Sequence, residues 1–89
     1  MKTAIFIANP ASGRASEGVL DEAHLTLESH GFTLRSFLTK KRGDAETLAR
    51  DALSLKPDLF VIAGGDGTIN EAINGLAGSG ATMAVLPLG

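Results

Sequence analysis

The chain of 89 residues contains no cysteine, no tryptophan and no tyrosine. Without cysteine it can hold neither a disulfide nor a thiolate metal centre, and its two histidines, His24 and His30, have no spacing that suits zinc. The redox compartment is therefore unreadable from the sequence. Long hydrophobic runs are also missing. The apolar stretch from Ala4 to Ala8 is too short for a signal-peptide core, and no run reaches the roughly 18 apolar residues of a membrane span. The chain reads as cytoplasmic by default. Charge of one sign is in short supply as well: 8 Lys and Arg stand against 10 Asp and Glu, a net charge of −2, so no nucleic-acid partner is expected.

What is present is 44% hydrophobic residues and 11 glycines, the composition of an ordinary α/β domain. Apolar, β-rich runs alternate with helix-like segments, with no repeat, low-complexity tract or linker, which predicts a parallel sheet with crossover helices. Ala4 to Ala8 is a continuous apolar run, as in a strand buried on both faces, and Asn9-Pro10 closes it. A loop from Asn9 to Arg14 leads to a helix from about Ser16 to His30, with Leu20, Ala23 and Leu27 on one face and Gly31 as its stop. Phe32 to Thr39 alternates, with Phe32, Leu34 and Leu38 on one side and Thr33, Arg35 and Thr39 mainly on the other, and reads as an edge strand. After the basic turn Lys40-Lys41-Arg42-Gly43, Asp44 is the predicted N-cap of a helix that turns Leu48, Ala52 and Leu55 inward. Leu59 to Ala63 is a third, wholly apolar strand. The helix that follows carries Ile69, Ile73 and Leu76 as its packing stripe, and Met83 to Leu86 is a fourth strand ended by Pro87.

The fold class is thus α/β, a doubly wound parallel sheet of order 2-1-3-4, flavodoxin- or phosphofructokinase-like. Ligands of such sheets bind outside the carboxyl ends of the strands where the order reverses. The loops at that switch are Asn9 to Arg14 and Gly64 to Thr68.

The second of these loops belongs to Ala63-Gly64-Gly65-Asp66-Gly67-Thr68-Ile69-Asn70-Glu71, a bare glycine segment that leaves a buried strand and opens into a helix. Backbone N–H groups and a helix N-terminus presented together are what a polyphosphate requires. Two familiar phosphate loops are excluded by composition. There is no Gly-Lys-Ser or Gly-Lys-Thr for a P-loop, and Asn70 stands where a dinucleotide fingerprint has its third glycine. The amides of Gly65 and Gly67 are candidates to face phosphates, and a carboxylate beside them is repulsive unless a metal bridges it, so Asp66 implies Mg²⁺. The duller reading of Asp66-Gly67 is a simple turn. Thr68 and Glu71 have the spacing of a capping box, which competes with a ligand role for Glu71. Asn70 and Asn74 share a helix face opposite the apolar stripe and are candidates to line a site. Lys40, Lys41 and Arg42 lie on the same sheet edge and could attract phosphates or anionic lipid headgroups, although a solvated charged turn is the commoner arrangement.

The motifs Asn9-Pro10-Ala11-Ser12-Gly13, Thr39, Gly43-Asp44-Ala45, Gly64 to Glu71, Asn74-Gly75-Leu76 and Leu86-Pro87-Leu88-Gly89, in that order, resemble the N-terminal catalytic domain of the diacylglycerol kinase family. The similarity is to its bacterial soluble branch and covers the whole chain. It implies that Gly65 to Glu71 wrap the phosphates of ATP, that Gly64 and Gly65 allow close approach, and that Asn9 and Thr39 line the nucleotide pocket. It also implies transfer of the ATP γ-phosphoryl group to a lipid hydroxyl such as that of diacylglycerol, with Mg²⁺ holding the phosphates, a reaction that rests on positioning and electrostatics. The family's β-rich second domain, which supplies the lipid cleft and an acidic general base, has no counterpart in these residues. The chain is accordingly expected to be an incomplete N-terminal nucleotide-binding domain, with no catalytic base assignable within it.

NAD kinases and phosphofructokinases share a Gly-Gly-Asp-Gly loop, and Asn9 to Gly13 with Asn70-Glu71 favour the lipid-kinase side. A non-catalytic nucleotide-binding module is the alternative of a different class. A lipid acceptor would require peripheral contact with a membrane, and an unpaired sheet edge would favour a homo-oligomer.

Overall fold

The two apolar runs expected to be buried on both faces lie side by side at the centre of the sheet. The computed structural model describes residues 2–9 and 15–88, the side chains of 15–17 excepted. Its elements are β1 (Lys2–Ala8), α1 (Ala15–Ser29), β2 (Phe32–Leu38), α2 (Asp44–Ala52) with a 3₁₀ turn over Leu53–Leu55, β3 (Leu59–Gly64), α3 (Asp66–Leu76) and β4 (Met83–Pro87). The strands form one parallel sheet of order β2-β1-β3-β4, as the alternation of elements predicts.

Because side chains alternate along a strand, β1 and β3 each feed two cores. Ile5, Ile7, Phe60 and Ile62 point to the face covered by α2 and α3, where they meet Ala45, Ala49, Ala52, Ala72 and Leu76. Phe6, Ala8, Val61 and Ala63 point to the opposite face, packed by Leu20, Ala23 and Leu27 of α1. His24 of α1 sets its ring edge-on to Phe6, with centroids 4.4 Å apart, and its Nε2 pairs with Ser36 Oγ at 3.1 Å. His30 is likewise engaged locally, its Nδ1 lying 2.8 Å from the Thr26 carbonyl oxygen.

Four expectations of the side-chain pattern need correction. In β2, Phe37 packs with the α2/α3 core while Leu38 is 57% exposed, because Phe37 pairs with Ile7 and so shares its face. In α2 the inward residues are Ala45, Ala49 and Ala52, with Leu48 half-buried, and Leu55 is left exposed because the α-helix ends at Ala52 and the 3₁₀ turn rotates it away. In α3 the buried set is Thr68, Ala72, Gly75 and Leu76, and Ile73 is 45% exposed. The cause lies in the neighbouring helix. A Cβ on Gly75 would overlap the Glu46 carbonyl oxygen and lie 3.1 Å from Ala49 Cβ, so α3 presents its smallest residues to α2 and rolls Ile73 outward.

The fourth correction concerns Asp44. The N-cap of α2 is Gly43, held at φ 92°, a left-handed conformation that glycine adopts without the Cβ penalty. Asp44 is the first helical residue, and its Oδ2 turns back to accept the backbone N–H groups of Lys40 at 2.7 Å and Lys41 at 3.1 Å. The acid therefore fastens the basic turn and leaves the helix end to other partners.

Candidate functional site

The carboxyl edge of the sheet is drawn together by backbone bonds that continue the strand ladder into the loops. Asn9 N–H donates to the Ala63 carbonyl at 3.0 Å, Thr39 N–H to Ala8 at 2.9 Å, and Leu88 N–H to Gly64 at 2.9 Å. The exits of all four strands are thereby aligned. Between the exits of β1 and β3 the chain turns to opposite faces of the sheet, α1 on one side and α3 on the other, which opens the crevice expected of a doubly wound topology.

Into that crevice points the N-terminus of α3. Gly65 is its N-cap, with extended backbone and no side-chain cap, and the first helical bond of the ladder runs from Ile69 N–H to the Gly65 carbonyl at 3.1 Å. The N–H groups of Asp66, Gly67 and Thr68 precede that bond and have no intrahelical acceptor. They carry the positive end of the helix dipole, so this end favours an anion.

A cavity of about 310 Å³ faces this helix end, lined by Asn9, Thr39, Lys40, Lys41, Arg42, Gly67, Thr68 and Glu71. Five residues expected in the site, Asn9, Thr39, Gly67, Thr68 and Glu71, thus meet in one place although 62 positions separate the first from the last. Thr39 and Thr68 are buried, and Asn9 Nδ2 donates to Thr68 Oγ1 at 3.4 Å, which links the end of β1 to the first turn of α3.

The other expected residues surround this wall without lining it. Gly65 has open space where a Cβ would be, consistent with close approach of a ligand. Gly64 does not: a Cβ there would stand 2.8 Å from Thr68 Cβ, so its small size serves the seating of α3 on β3. Ile69 packs into the core on the α2 face. Asp66 and Asn70 are exposed, as is Asn74. The loop residues Pro10 to Arg14 and the terminal Gly89 lie outside the described residues.

The capping box is corrected. Thr68 is not the cap of its helix, which begins two residues earlier, and Glu71 does not reach back to it. Instead Glu71 Oε1 accepts the backbone N–H of Ala45 at 3.3 Å, supplying to α2 the side-chain acceptor that its own Gly43 cap cannot offer. The close approach permitted by Gly75 brings Glu71 within reach.

Lys40, Lys41 and Arg42, which the sequence offers either as a solvated charged turn or as an attractor of phosphates or lipid headgroups, form one wall of the cavity. Their position at the exit of β2, beside β1, is the signal that ties them to it. Asp44 is held below the usual carboxylate range by the Lys40 N–H bond first, against the opposing effect of desolvation, and then by the Lys41 N–H and the two lysine charges. Among the described residues no group of three or more potential ligands could hold a metal alone. Asp66, exposed at the start of α3, suits the other mode, in which Mg²⁺ takes one or two carboxylates, water and substrate phosphates.

A larger cavity, about 350 Å³, lies on the opposite face between α1 and the β3–β4 pair. Its walls are mainly apolar, with Val19, Leu27, Val61 and Leu86, and its charged residue is Glu22, the wrong sign for a phosphate. Among the described residues no helix is long and apolar enough to cross a membrane.

Comparison with known proteins agrees with this fold. The model of the diacylglycerol kinase catalytic domain matches residues 3–89. The chain is 41% identical over 91 aligned residues to a diacylglycerol kinase of Staphylococcus epidermidis, covering 99% of this chain and 29% of the relative. It is 38% identical to the diacylglycerol kinase of Staphylococcus saprophyticus, covering 99% and 30%. A crystal structure of a diacylglycerol kinase from Bacillus anthracis superposes with a TM-score of 0.79 at 31% identity, covering 97% of this chain and 31% of that one. The chain therefore spans close to a third of the length of these relatives. On the match across residues 3–89 and the shared fold, the chain belongs to the diacylglycerol kinase catalytic domain family.

Proposed function

We propose that these residues form the nucleotide-binding part of an ATP-dependent lipid kinase that transfers the γ-phosphoryl group of ATP to the hydroxyl of a lipid such as diacylglycerol. The observation that carries the nucleotide reading is the N-terminus of α3, whose first-turn amides follow a side-chain-free Gly65 and open on the cavity at the β1/β3 switch. The acceptor class rests on the family and on the names of its members.

In this reading the amides of Gly67 and Thr68 hold phosphate oxygens, and Gly65 lets the phosphates approach the backbone. Asn9 and the buried Thr39 line the pocket beside them, with Thr68 fixed to Asn9 so that the first helical turn keeps its aim. Asp66 would hold Mg²⁺ on the phosphates, and that ion would supply charge neutralisation as the phosphoryl group leaves. These groups bind and orient; a base for the acceptor hydroxyl is not assigned to any of them. A lipid acceptor calls for peripheral contact with a membrane surface.

The test is transfer of radiolabelled γ-phosphate from ATP, with Mg²⁺, by an enzyme of the relatives' length that contains these residues. Diacylglycerol, other lipid alcohols and NAD are offered in parallel. Labelled lipid is the expected product. Labelled NAD would assign the acceptor to a different kinase class, and retained ATP binding without any labelled product would make the domain a non-catalytic nucleotide module.

A further inference from the structure

Three consecutive cations, Lys40, Lys41 and Arg42, stand on one wall of the cavity, and the N-terminus of α3 stands on another. A chain of net charge −2 has thus gathered 3 of its 8 basic residues at a single turn. Among the described residues the one ion pair is Arg50 with Glu46, on the surface of α2, so no carboxylate lies within ion-pair distance of the three. The two nearby acids are engaged elsewhere. Asp44 accepts the backbone N–H groups of Lys40 and Lys41, and Glu71 accepts the N–H of Ala45. Both bonds hold backbone in place, and among the described residues no carboxylate forms an ion pair with the three basic side chains, although the Asp44 charge lies near enough to feel Lys40 and Lys41. The turn is itself fixed, by Asp44 and by the Asp44 N–H to Lys41 carbonyl bond of 3.2 Å.

We propose that the Lys40-Lys41-Arg42 turn is the cationic wall of the nucleotide site and holds the phosphates of ATP beyond the first. This rests on the nucleotide reading of the cavity and adds to it the residues that select a polyphosphate. The three charges and the helix N-terminus, offset in part by Glu71 and Asp44, are spread over two walls of the cavity, an arrangement that suits several phosphates better than one phosphomonoester. A triphosphate fills the same wall with a chain of oxyanions that reaches from the glycine loop to the turn. The contacts are charge-assisted and partly exposed, so each is modest and salt-sensitive, and their sum favours ATP over AMP.

The experiment measures binding of the fluorescent analogues mant-ATP and mant-AMP to an enzyme of the relatives' length that contains these residues and to its variant with Lys40→Ala, Lys41→Ala and Arg42→Ala together. Circular dichroism serves as the check on folding, since all three side chains are exposed. The expected result is a loss of roughly tenfold or more in mant-ATP affinity with a change under about threefold for mant-AMP. In the unsubstituted enzyme, where no substitution can disturb the fold, mant-ATP affinity should fall more steeply with added salt than mant-AMP affinity. Equal mant-ATP binding by a folded variant would overturn the proposal while leaving the nucleotide site standing. Loss of binding to phosphatidylglycerol vesicles with mant-ATP affinity unchanged would also overturn it, assigning the cations to lipid headgroups. If the unsubstituted enzyme binds neither analogue, the nucleotide reading fails and the proposal falls with it.

Discussion

Glu71 caps a helix to which it does not belong: its Oε1 accepts the Ala45 N–H at 3.3 Å, across 26 positions of sequence, and ties α3 to the N-terminus of α2. The bond ties the glycine-loop helix to the element that follows the basic turn, and so links the two walls of the cavity. Glu71→Ala removes the acceptor and should cost about 0.5–2 kcal/mol in urea unfolding, the range for loss of a helix N-cap. Glu71→Gln keeps a carbonyl acceptor and should recover most of that. Equal losses in the two variants would show that the bond contributes nothing and the charge everything.

Gly64 and Gly65 are adjacent yet should fail in different ways. Gly64→Ala forces a Cβ to within 2.8 Å of Thr68 Cβ and should destabilise the fold by about 1–3 kcal/mol through overpacking. Gly65→Ala meets no atom within 4 Å, at φ −83°, and should stay within about 1 kcal/mol of the parent, the cap preference of glycine over alanine. Its penalty should appear in mant-ATP affinity. Thermal unfolding and ligand titration on both variants separate the roles, and a stable Gly64→Ala protein would contradict the packing described for α3.

At Gly75 the constraint is the separation of two helices. Gly75→Ala should push α3 away from the Glu46 carbonyl and Ala49, costing about 1–3 kcal/mol. Because Glu71 reaches Ala45 only at the present separation, adding Glu71→Ala to Gly75→Ala should cost less than adding it to the parent. Strict additivity in a double-mutant cycle would uncouple the two contacts.

The Asp44 carboxyl is lowered in the folded chain, chiefly by the Lys40 N–H bond. A lowered folded value means that its contribution to stability is fully present above the unfolded aspartate value of about 3.9 and is lost as pH falls through the folded one. Asp44→Asn should therefore be less stable than the parent at neutral pH, and the gap should close as the medium is acidified below about pH 4. Urea midpoints across that range test this, and a gap that widens with acid would reverse the sign and contradict the assignment.

The central strands are legible in the sequence because Ala4 to Ala8 and Leu59 to Ala63 have no polar alternation to mislead, and their loops carry the chemistry. With the strand order read from the alternation of elements, Asn9, Thr39 and the start of α3 fall on one edge of the sheet. What the pattern conceals depends on contacts between helices. Thr68 and Glu71 have the spacing of a capping box, but the helix begins at Asp66, and Glu71 finds a better-placed donor at Ala45. Ile73 has the right spacing for burial, yet the small residues of the α2/α3 contact set the roll of the helix instead. Asp44 likewise matches an N-cap by type, and the left-handed Gly43 takes that position because the basic turn must close first. At Glu71 and Asp44 the local rule names a residue that does hold backbone but misses its partner, and at Ile73 the contact between α2 and α3 overrides the rule.

The glycine loop, Asn9 and Thr39 are proposed to form one nucleotide site, and NMR amide-shift mapping with MgATP is its sharpest test. Shifts concentrated at Asn9, Thr39 to Arg42 and Gly65 to Glu71 are the predicted result. Shifts centred on Val19, Leu27, Val61 and Leu86, in the apolar cavity on the other face of the sheet, would contradict it.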